Sequence, residues 1–397
     1  MVSTLGMGTT IKVLSLNMWG VPFASKKIKQ RSEHLIEHLL ASEYQIVGLQ
    51  EVFTSWHAKL IQDGVKSIFG HSHWFRSGSL GSPGLLVLSR YPIIEIAFHP
   101  FALNGYPQRV AHGDWWAGKG VGLCRIDHPL STIDFYLTHI HANYTHTGYD
   151  MYTGHRVSQM YCMAKYMARS STSDAVIAVG DFNCVEDEVA TEIFIEASGL
   201  TDSYRELHPD KINDPGYTND TPECSWRADT SMATLCSNGT CKRIDYIFYN
   251  RSKLSCTDCQ VVMGKIPGQT FSYSDHMGVS TTFVLQPEND RPAMRPAKLS
   301  KSTAKSALEH IERSVKATRA DTTQKLIIWT VLTLLWCGVI VVAVLDLVPS
   351  VVVALLASVL SACATAVFWY LVIFSRTESS KFSEALQEMQ VLARFAE

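Results

Sequence analysis

Glu51 and Asp181 each close a short apolar run, and each stands close to a side-chain amide: Gln50 precedes the first and Asn183 follows the second. Asn17 ends a third such run. Carboxylate and amide oxygens are hard donors. A set of this kind suits Mg²⁺, with Mn²⁺ as a substitute, because such ions take a few oxygen ligands and keep several waters. A divalent cation held there could polarise a phosphoryl oxygen and offset charge on a leaving oxygen. His276 is the candidate base, since an imidazole titrates near neutrality and works when a carboxylate holds its tautomer. Asp245, opening an apolar run, is the candidate orienter, and Asp275, the carboxylate beside the base, is a further candidate metal ligand. His139 and His141 alternate, so one faces the cleft and the other faces packing; His139 is the one expected to stabilise charge. Each residue taken singly also has a structural reading, as a cap, a turn or a buried hydrogen-bonded histidine.

What makes the set more than its members is where the residues sit, at the ends of elements that can hold them still. Strands are expected at Ile11–Leu16, Ile46–Leu49, Leu85–Leu88, Val121–Ile126, Ile133–Leu137, Ala175–Val179, Ile244–Tyr249 and Gly278–Leu285. Helical spacing marks Ser32–Leu40 and Gly154–Met167. Many strands with intervening helices predict a layered α/β protein with helices outside packed sheets. The polar groups all fall at strand ends, where a rigid backbone would project them into one cleft.

The remaining apolar weight lies near the C-terminus. Leu326–Val348 carries one charge, Asp346, and Val351–Phe374 carries none. At about 1.5 Å per residue each reaches roughly 35 Å, enough for a hydrocarbon core of about 30 Å. Pro349 and Ser350 separate them, so the segment reads as a two-helix transmembrane hairpin, the alternative being a pair of buried core helices. Lys316, Arg319 and Lys325 precede the hairpin and Arg376 and Lys381 follow it, which places both ends on the cytoplasmic side. Met1–Thr10 has no basic stretch leading into an apolar run, as expected without a secretory leader. The expected organisation is a catalytic domain over 1–285, a linker and juxtamembrane segment over 286–325, spans at 326–348 and 351–374, and a cytoplasmic tail over 375–397. The membrane would be the endoplasmic reticulum or another endomembrane.

Composition narrows the function further. The 397 residues carry 35 basic and 37 acidic side chains, and residues 1–285 alone carry 23 and 27. A domain without basic excess is a poor nucleic-acid binder, because that affinity comes from neutralising phosphates. The 46% hydrophobic content excludes a disordered chain. Cys256-Thr-Asp-Cys259, with Cys236 and Cys241 near it, is weak support for zinc.

Read together, Leu16-Asn17, Leu49-Gln50-Glu51, Thr138-His139, Gly180-Asp181-Phe182-Asn183, Arg243-Ile244-Asp245-Tyr246 and Ser274-Asp275-His276 resemble, in order, the motifs of the exonuclease–endonuclease–phosphatase superfamily, the deoxyribonuclease I-like fold. That resemblance implies a four-layer sandwich, two packed β-sheets flanked by helices, with a metal-dependent phosphoester cleft at one edge. Asn17-Met-Trp-Gly, His112-Gly-Asp-Trp-Trp-Ala-Gly-Lys-Gly-Val-Gly-Leu, Thr138-His-Ile-His-Ala-Asn-Tyr and Gly154-His-Arg-Val-Ser-Gln resemble the eukaryotic neutral sphingomyelinases. The double-spanning tail is similar to their membrane-anchored members and to fungal inositol phosphosphingolipid phospholipase C. The family implies that Glu51 holds Mg²⁺ with Asn17 close to it, and that Asp181 and Asn183 orient water and phosphate. It implies His276 as general base paired to Asp245, and His139 as the stabiliser of charge. The substrate would be sphingomyelin, cut to ceramide and phosphocholine, with inositol phosphosphingolipids or lyso-phospholipids as the alternative. Headgroup contacts are not legible.

Three rivals carry less. A nuclease conflicts with the acidic catalytic region and the bilayer tether. An inositol polyphosphate 5-phosphatase would continue Asn183 with Tyr-Arg, where Cys184-Val185 stands. An inactive scaffold would have lost Glu51, Asp181 or His276. Trp115-Trp116 suggests contact with a membrane interface, with core packing as the alternative.

Overall fold

The computed structural model describes residues 10–76, 82–145, 148–226, 241–286, 299–345 and 347–396. Cys236, Asp346, residues 1–9 and residues 287–298 of the expected linker lie outside the described residues. Two compact units divide between Ala304 and Lys305.

In the first unit, two six-stranded sheets pack face to face. One has the order β11-β12-β1-β2-β4-β3 and the other β5-β6-β7-β8-β10-β9. The strands are β1 (Thr10–Asn17), β2 (Ile46–Gln50), β3 (His71–Trp74), β4 (Leu86–Ser89), β5 (Ile93–Pro100), β6 (Gly120–His128), β7 (Ser131–His139), β8 (Ala175–Asp181), β9 (Thr201–Asp202), β10 (Asp245–Tyr249), β11 (Leu254–Val262) and β12 (Gly278–Leu285). Each sheet contains one parallel pair, β1 with β2 and β7 with β8, and its other pairings are antiparallel. A parallel pair needs a crossover. Helix α1 (Ile28–Leu40) supplies the first and α4 (Thr153–Ser170) the second.

Alternation of side chains explains the layers. Val13, Ile46, Phe135, Leu137, Ile177, Val179, Ile247 and Phe283 meet between the sheets. The opposite faces of β1 and β2 send Leu14, Leu16, Val47 and Leu49 against Leu35 and Leu39 of α1 and Ile61 and Val65 of α2 (Ser55–Val65). With both faces covered, these strands carry apolar residues on both faces rather than on one. Gly48 faces the partner sheet, where a Cβ would lie 2.8 Å from Val179 and 3.0 Å from Leu137.

The expected strands are all present: β1, β2, β6, β7 and β8 run longer by one to four residues, β4 is shifted by one, β10 starts one residue later and β12 coincides, and α1 begins one turn before Ser32. The reading missed β3, β5, β9, β11, α2, and the helices Val189–Ser198 and Ser203–Leu207. β5 and β11 are edge strands with many exposed residues, so they lack the apolar runs that signal a buried strand. Among the described residues, the CxxC on β11 belongs to no group of metal-ligating geometry. A bulge between Cys256 and Asp258 turns Cys256 and Cys259 to the same face, into the core between the sheets.

In the second unit, Lys301–Val344 is one continuous helix that begins just before the boundary, and Ser350–Phe395 is a second helical stretch with a π-helical turn at Tyr370–Ser375. Their most apolar 18-residue windows are 0% and 6% buried. A pair of core helices would be mostly covered, so both are helices long and apolar enough to cross a membrane.

Candidate active site

The two parallel pairs end at the same edge of the sandwich, and this brings the predicted residues together. Asn17 closes β1, Glu51 follows β2, His139 closes β7 and Asp181 closes β8. Asp245 opens β10 opposite Asp181 in the antiparallel register. His276 precedes β12, whose N-terminal end lies beside the C-terminal end of β1. Neighbouring strands set this clustering, because parallel strands end together and an antiparallel neighbour starts where they end.

Asn17 is fully buried, and its Nδ2 donates to Glu51 Oε1 at 2.8 Å and to Asp181 Oδ2 at 2.9 Å. Its Oδ1 accepts the Trp19 N–H at 2.8 Å. Asn17 therefore ties the two carboxylates together, and its oxygen is turned toward the backbone. Two carboxylates this close would repel; the shared amide donor offsets part of that.

Glu51 has a left-handed backbone, φ 58, at the sharp turn out of β2. Gly20 and Gly84 leave room for it: a Cβ on Gly20 would stand 2.1 Å from the Glu51 carbonyl. Glu51 Oε2 is buried with no hydrogen-bond partner. Burial, and then the neighbouring Asp275, push the Glu51 carboxyl up to about 7 against the pull of Asn17. Burial and then Asp245 raise Asp181 to about 6. These are the marks of a hard-donor cluster short of positive charge.

His139 Nε2 lies 3.4 Å from Asp181 Oδ2 and 4.0 Å from Glu51 Oε1. Burial, and then Lys119, hold it well below its ordinary value, so it is neutral. Glu51, His139 and Asp181 form one group of metal-ligating geometry among the described residues, and Asp181, Asp245 and His276 form another. Asp275 belongs to neither; it lines the cavity and bonds Ser274. His141 is the packed member of the alternating pair, stacked on Tyr152 at 4.0 Å with Nδ1 on the Ala142 carbonyl.

His276 Nδ1 pairs with Asp245 Oδ2 at 2.8 Å, and its Nε2 lies 3.9 Å from Asp181 Oδ2. Burial disfavours the charged ring, but Asp245, Asp181 and Asp275 outweigh it and raise the imidazole well above its ordinary value. Asn183, also left-handed at φ 47, donates its N–H to Asp181 Oδ1 at 2.9 Å and its Nδ2 to the Ile140 carbonyl at 3.0 Å.

Two cations escaped the sequence reading. Lys119 is buried in the cavity wall, donates to the Ile140 carbonyl at 2.8 Å and is ion-paired with Asp114. Its signal was a lone lysine between Gly118 and Gly120 at the mouth of β6. Arg31, on the inward face of α1, donates to the carbonyls of Met18, Trp19 and Tyr273, clasping the loops that carry Asn17 and Asp275. Its sequence signal was slight, a basic residue in phase with Leu35 and Leu39.

These groups open onto a cavity of about 760 Å³ whose apolar wall includes Trp19, Phe53, Trp116, Tyr144 and Trp226. Buried carboxylates, a carboxylate-held imidazole and a buried lysine beside an apolar wall suit metal-assisted hydrolysis of a phosphoester carrying an apolar group.

Comparison with known proteins agrees. Residues 14–276 match the Endonuclease/Exonuclease/phosphatase family. A Drosophila melanogaster protein provisionally named a neutral sphingomyelinase is 34% identical over 292 residues, 71% of this chain and 63% of that protein. Inositol phosphosphingolipids phospholipase C of Schizosaccharomyces pombe is 33% identical, covering 70% and 69%. Sphingomyelin phosphodiesterase 2 of Homo sapiens is 31% identical, covering 70% and 65%. The chain thus spans slightly less than two thirds of the fly and human proteins. Among solved structures, SmcL superposes with TM-score 0.52 at 17% identity, covering 69% of this chain and 99% of that one. D. rerio TDP2 bound to a single-stranded DNA product superposes with TM-score 0.53 at 16% identity, covering 69% and 98%. At these identities the structures attest the fold.

Proposed function

The chain belongs to the Endonuclease/Exonuclease/phosphatase family, and from that premise we propose that it is a divalent-metal-dependent sphingomyelin phosphodiesterase of the phospholipase C type, releasing ceramide and phosphocholine. The observation that carries this reading is the Asp245–His276 pair at 2.8 Å, with His276 lining the same cavity as Glu51, whose second oxygen has no partner, in a chain whose relatives are named for sphingolipid phosphodiester cleavage.

The donor set fits a hard cation. Glu51, with Asp181 beside it, would hold Mg²⁺, or Mn²⁺ in its place, and the partnerless Glu51 oxygen is the group such an ion would satisfy. When bound, the ion supplies positive charge against the phosphate and the departing oxygen. The chain's own residues do the rest. With a cation offsetting the carboxylate charge that otherwise keeps the ring protonated, His276 would stand neutral, and its Nε2 takes the proton of the attacking water while Asp245 holds the opposite ring nitrogen. The water oxygen bonds to phosphorus, the bond from phosphorus to the ceramide oxygen breaks, and that oxygen takes up a proton from solvent as ceramide leaves. Asn183 and Asp181 orient water and phosphate, and His139, neutral with an N–H to give, stabilises the charge that develops. Such transfers rely on positioning and charge stabilisation.

In this reading the two apolar helices anchor the protein in an endomembrane as an integral protein. Residues 1–285 form the catalytic domain, and both ends of the chain are cytoplasmic. The test is release of phosphocholine from sphingomyelin in mixed micelles by wild type and His276→Ala, with Mg²⁺ or EDTA. Release that needs both the metal and His276 supports the reading, and release indifferent to either refutes it. The 33% identity to the fission yeast enzyme favours one second reading, cleavage of the same bond in inositol phosphosphingolipid. Parallel assays on the two lipids decide between them.

A further inference from the structure

Phe23 lies in the loop between β1 and α1, and it is fully exposed, with 109% relative accessibility. Its backbone is left-handed, φ 65, a conformation that a bulky L-residue adopts only under constraint. The constraint is a built turn: Ser25 N–H and Ala24 N–H donate to the Val21 carbonyl at 3.0 and 3.3 Å, and Val21 N–H donates to Ser25 Oγ at 2.9 Å. The turn displays the ring outward, where it gains no packing. On either side of Phe23, Val21, Pro22 and Ala24 line the active-site cavity.

A second loop does the same from the other sheet. Val110 opens the short helix Val110–His112 between β5 and β6, is 67% exposed, and lines the same cavity together with Ala111. Each apolar tip is accompanied by cations, Lys26, Lys27 and Lys29 after Phe23 and Arg109 before Val110, all exposed. Trp115 and Trp116, which the sequence had put forward for this role, are half-buried and pack on each other edge to face at 4.9 Å.

We propose that the loop tips carrying Phe23 and Val110 insert into the headgroup zone of a lipid bilayer, so that the cavity mouth opens directly onto the lipid phosphates. The proposal rests on the phospholipase reading of the cavity. Single apolar side chains raised on separate tips and flanked by lysine and arginine match a surface that is apolar below and phosphate-rich above. A protein partner would instead call for a continuous apolar patch. The two tips also stand where a substrate held in a membrane by its acyl chains would have to enter.

The test uses the full chain reconstituted in vesicles of phosphatidylcholine, phosphatidylserine and sphingomyelin, with p-nitrophenyl phosphocholine as a water-soluble substrate for the same preparations. Phe23→Asp is the main variant. Aspartate accepts a positive φ more readily than phenylalanine, so the turn should keep its shape. The expected result is a loss of about tenfold or more on vesicle sphingomyelin, since immersion of a whole aromatic ring is forfeited, with the soluble substrate turned over as before. Phe23→Leu should restore most of the vesicle rate, and Val110→Asp should lower the ratio of vesicle to soluble activity in the same direction. Equal rates on vesicles for wild type and Phe23→Asp overturn the proposal, as does an equal loss on both substrates. If wild type turns over neither substrate, the phospholipase reading falls and takes the proposal with it.

Discussion

Replacing Asp245 with asparagine removes one charge from the site and almost no volume. Asp245 Oδ2 lies 2.8 Å from His276 Nδ1, and both residues are buried. An amide oxygen can still accept that hydrogen bond, so the ring should keep its place; what goes is the anion that stabilises the imidazolium formed during proton transfer. Two opposite charges near 4 Å interact by about 4 kcal/mol at the effective dielectric that suits protein sites. A charge-assisted hydrogen bond has a net value of about 1.5–3 kcal/mol. Taking about 3–4 kcal/mol as the loss, kcat should fall by roughly 10²–10³-fold. KM should barely move, because Asp245 sits behind His276 and is not among the residues that line the cavity. The assay is initial-rate phosphocholine release from mixed micelles at saturating Mg²⁺, paired with thermal inactivation of the same preparations. A fall of less than about tenfold, or a loss carried by KM or by lowered thermal stability, would refute the assignment of Asp245 as the orienter of His276.

Glu51→Gln can keep the bond from Asn17 but offers a weaker donor to a cation, so calorimetric titration with Mg²⁺ or Mn²⁺ should show affinity lowered by at least about tenfold. Unaltered affinity would place the metal elsewhere. Gly48→Ala pushes a methyl against movable side chains of the facing sheet and should cost about 1–3 kcal/mol in thermal or denaturant unfolding. Gly180→Ala should cost more, because its Cβ would meet the Thr138 carbonyl at 2.1 Å, and backbone in the β7–β8 pair cannot step aside. The two variants ranking the other way would undo that reasoning. His57 is buried, bonded to Ser32 through Nε2 at 2.9 Å, and depressed to about 4 by burial and then by Arg31. Its contribution to stability is complete above pH 6.5 and is lost as pH falls toward 4, about 2 kcal/mol between pH 7 and pH 5. His57→Gln should flatten that part of the stability profile, and an unchanged slope would assign the acid sensitivity to other groups.

How much of this was legible beforehand depends on how local each signal is. β1, β2 and β8 could be read from their apolar runs, and Asn17, Glu51 and Asp181 were found because each ends one. The edge strands β5 and β11 were not legible, because a strand with an exposed face and many polar residues lacks a distinctive period. Lys119 was visible as a residue but not as part of the cavity, since its burial depends on the Asp114 carboxylate and the Ile140 carbonyl, the latter brought in by β7. For Trp115 and Trp116 membrane contact and core packing both stayed open, because a pair of tryptophans between glycines carries no sign of what packs on it. Phe23, a ring that the chain leaves fully in solvent, is inconspicuous in the sequence.

By itself the sequence determined the kinds of chemistry available, hard oxygen donors with an imidazole base, together with the apolar strands that could hold them and the two apolar C-terminal segments. Those properties belong to residue type and short-range spacing. Only the tertiary structure decided that Asn17 bridges Glu51 and Asp181, that Nδ1 of His276 is the nitrogen taken by Asp245, and that one Glu51 oxygen is left without a partner. These outcomes depend on contacts between residues as far apart as Asn17 and Asp181, 164 positions along the chain. Such contacts exist only once two sheets, each with its own parallel pair, have packed with those strand ends at a common edge.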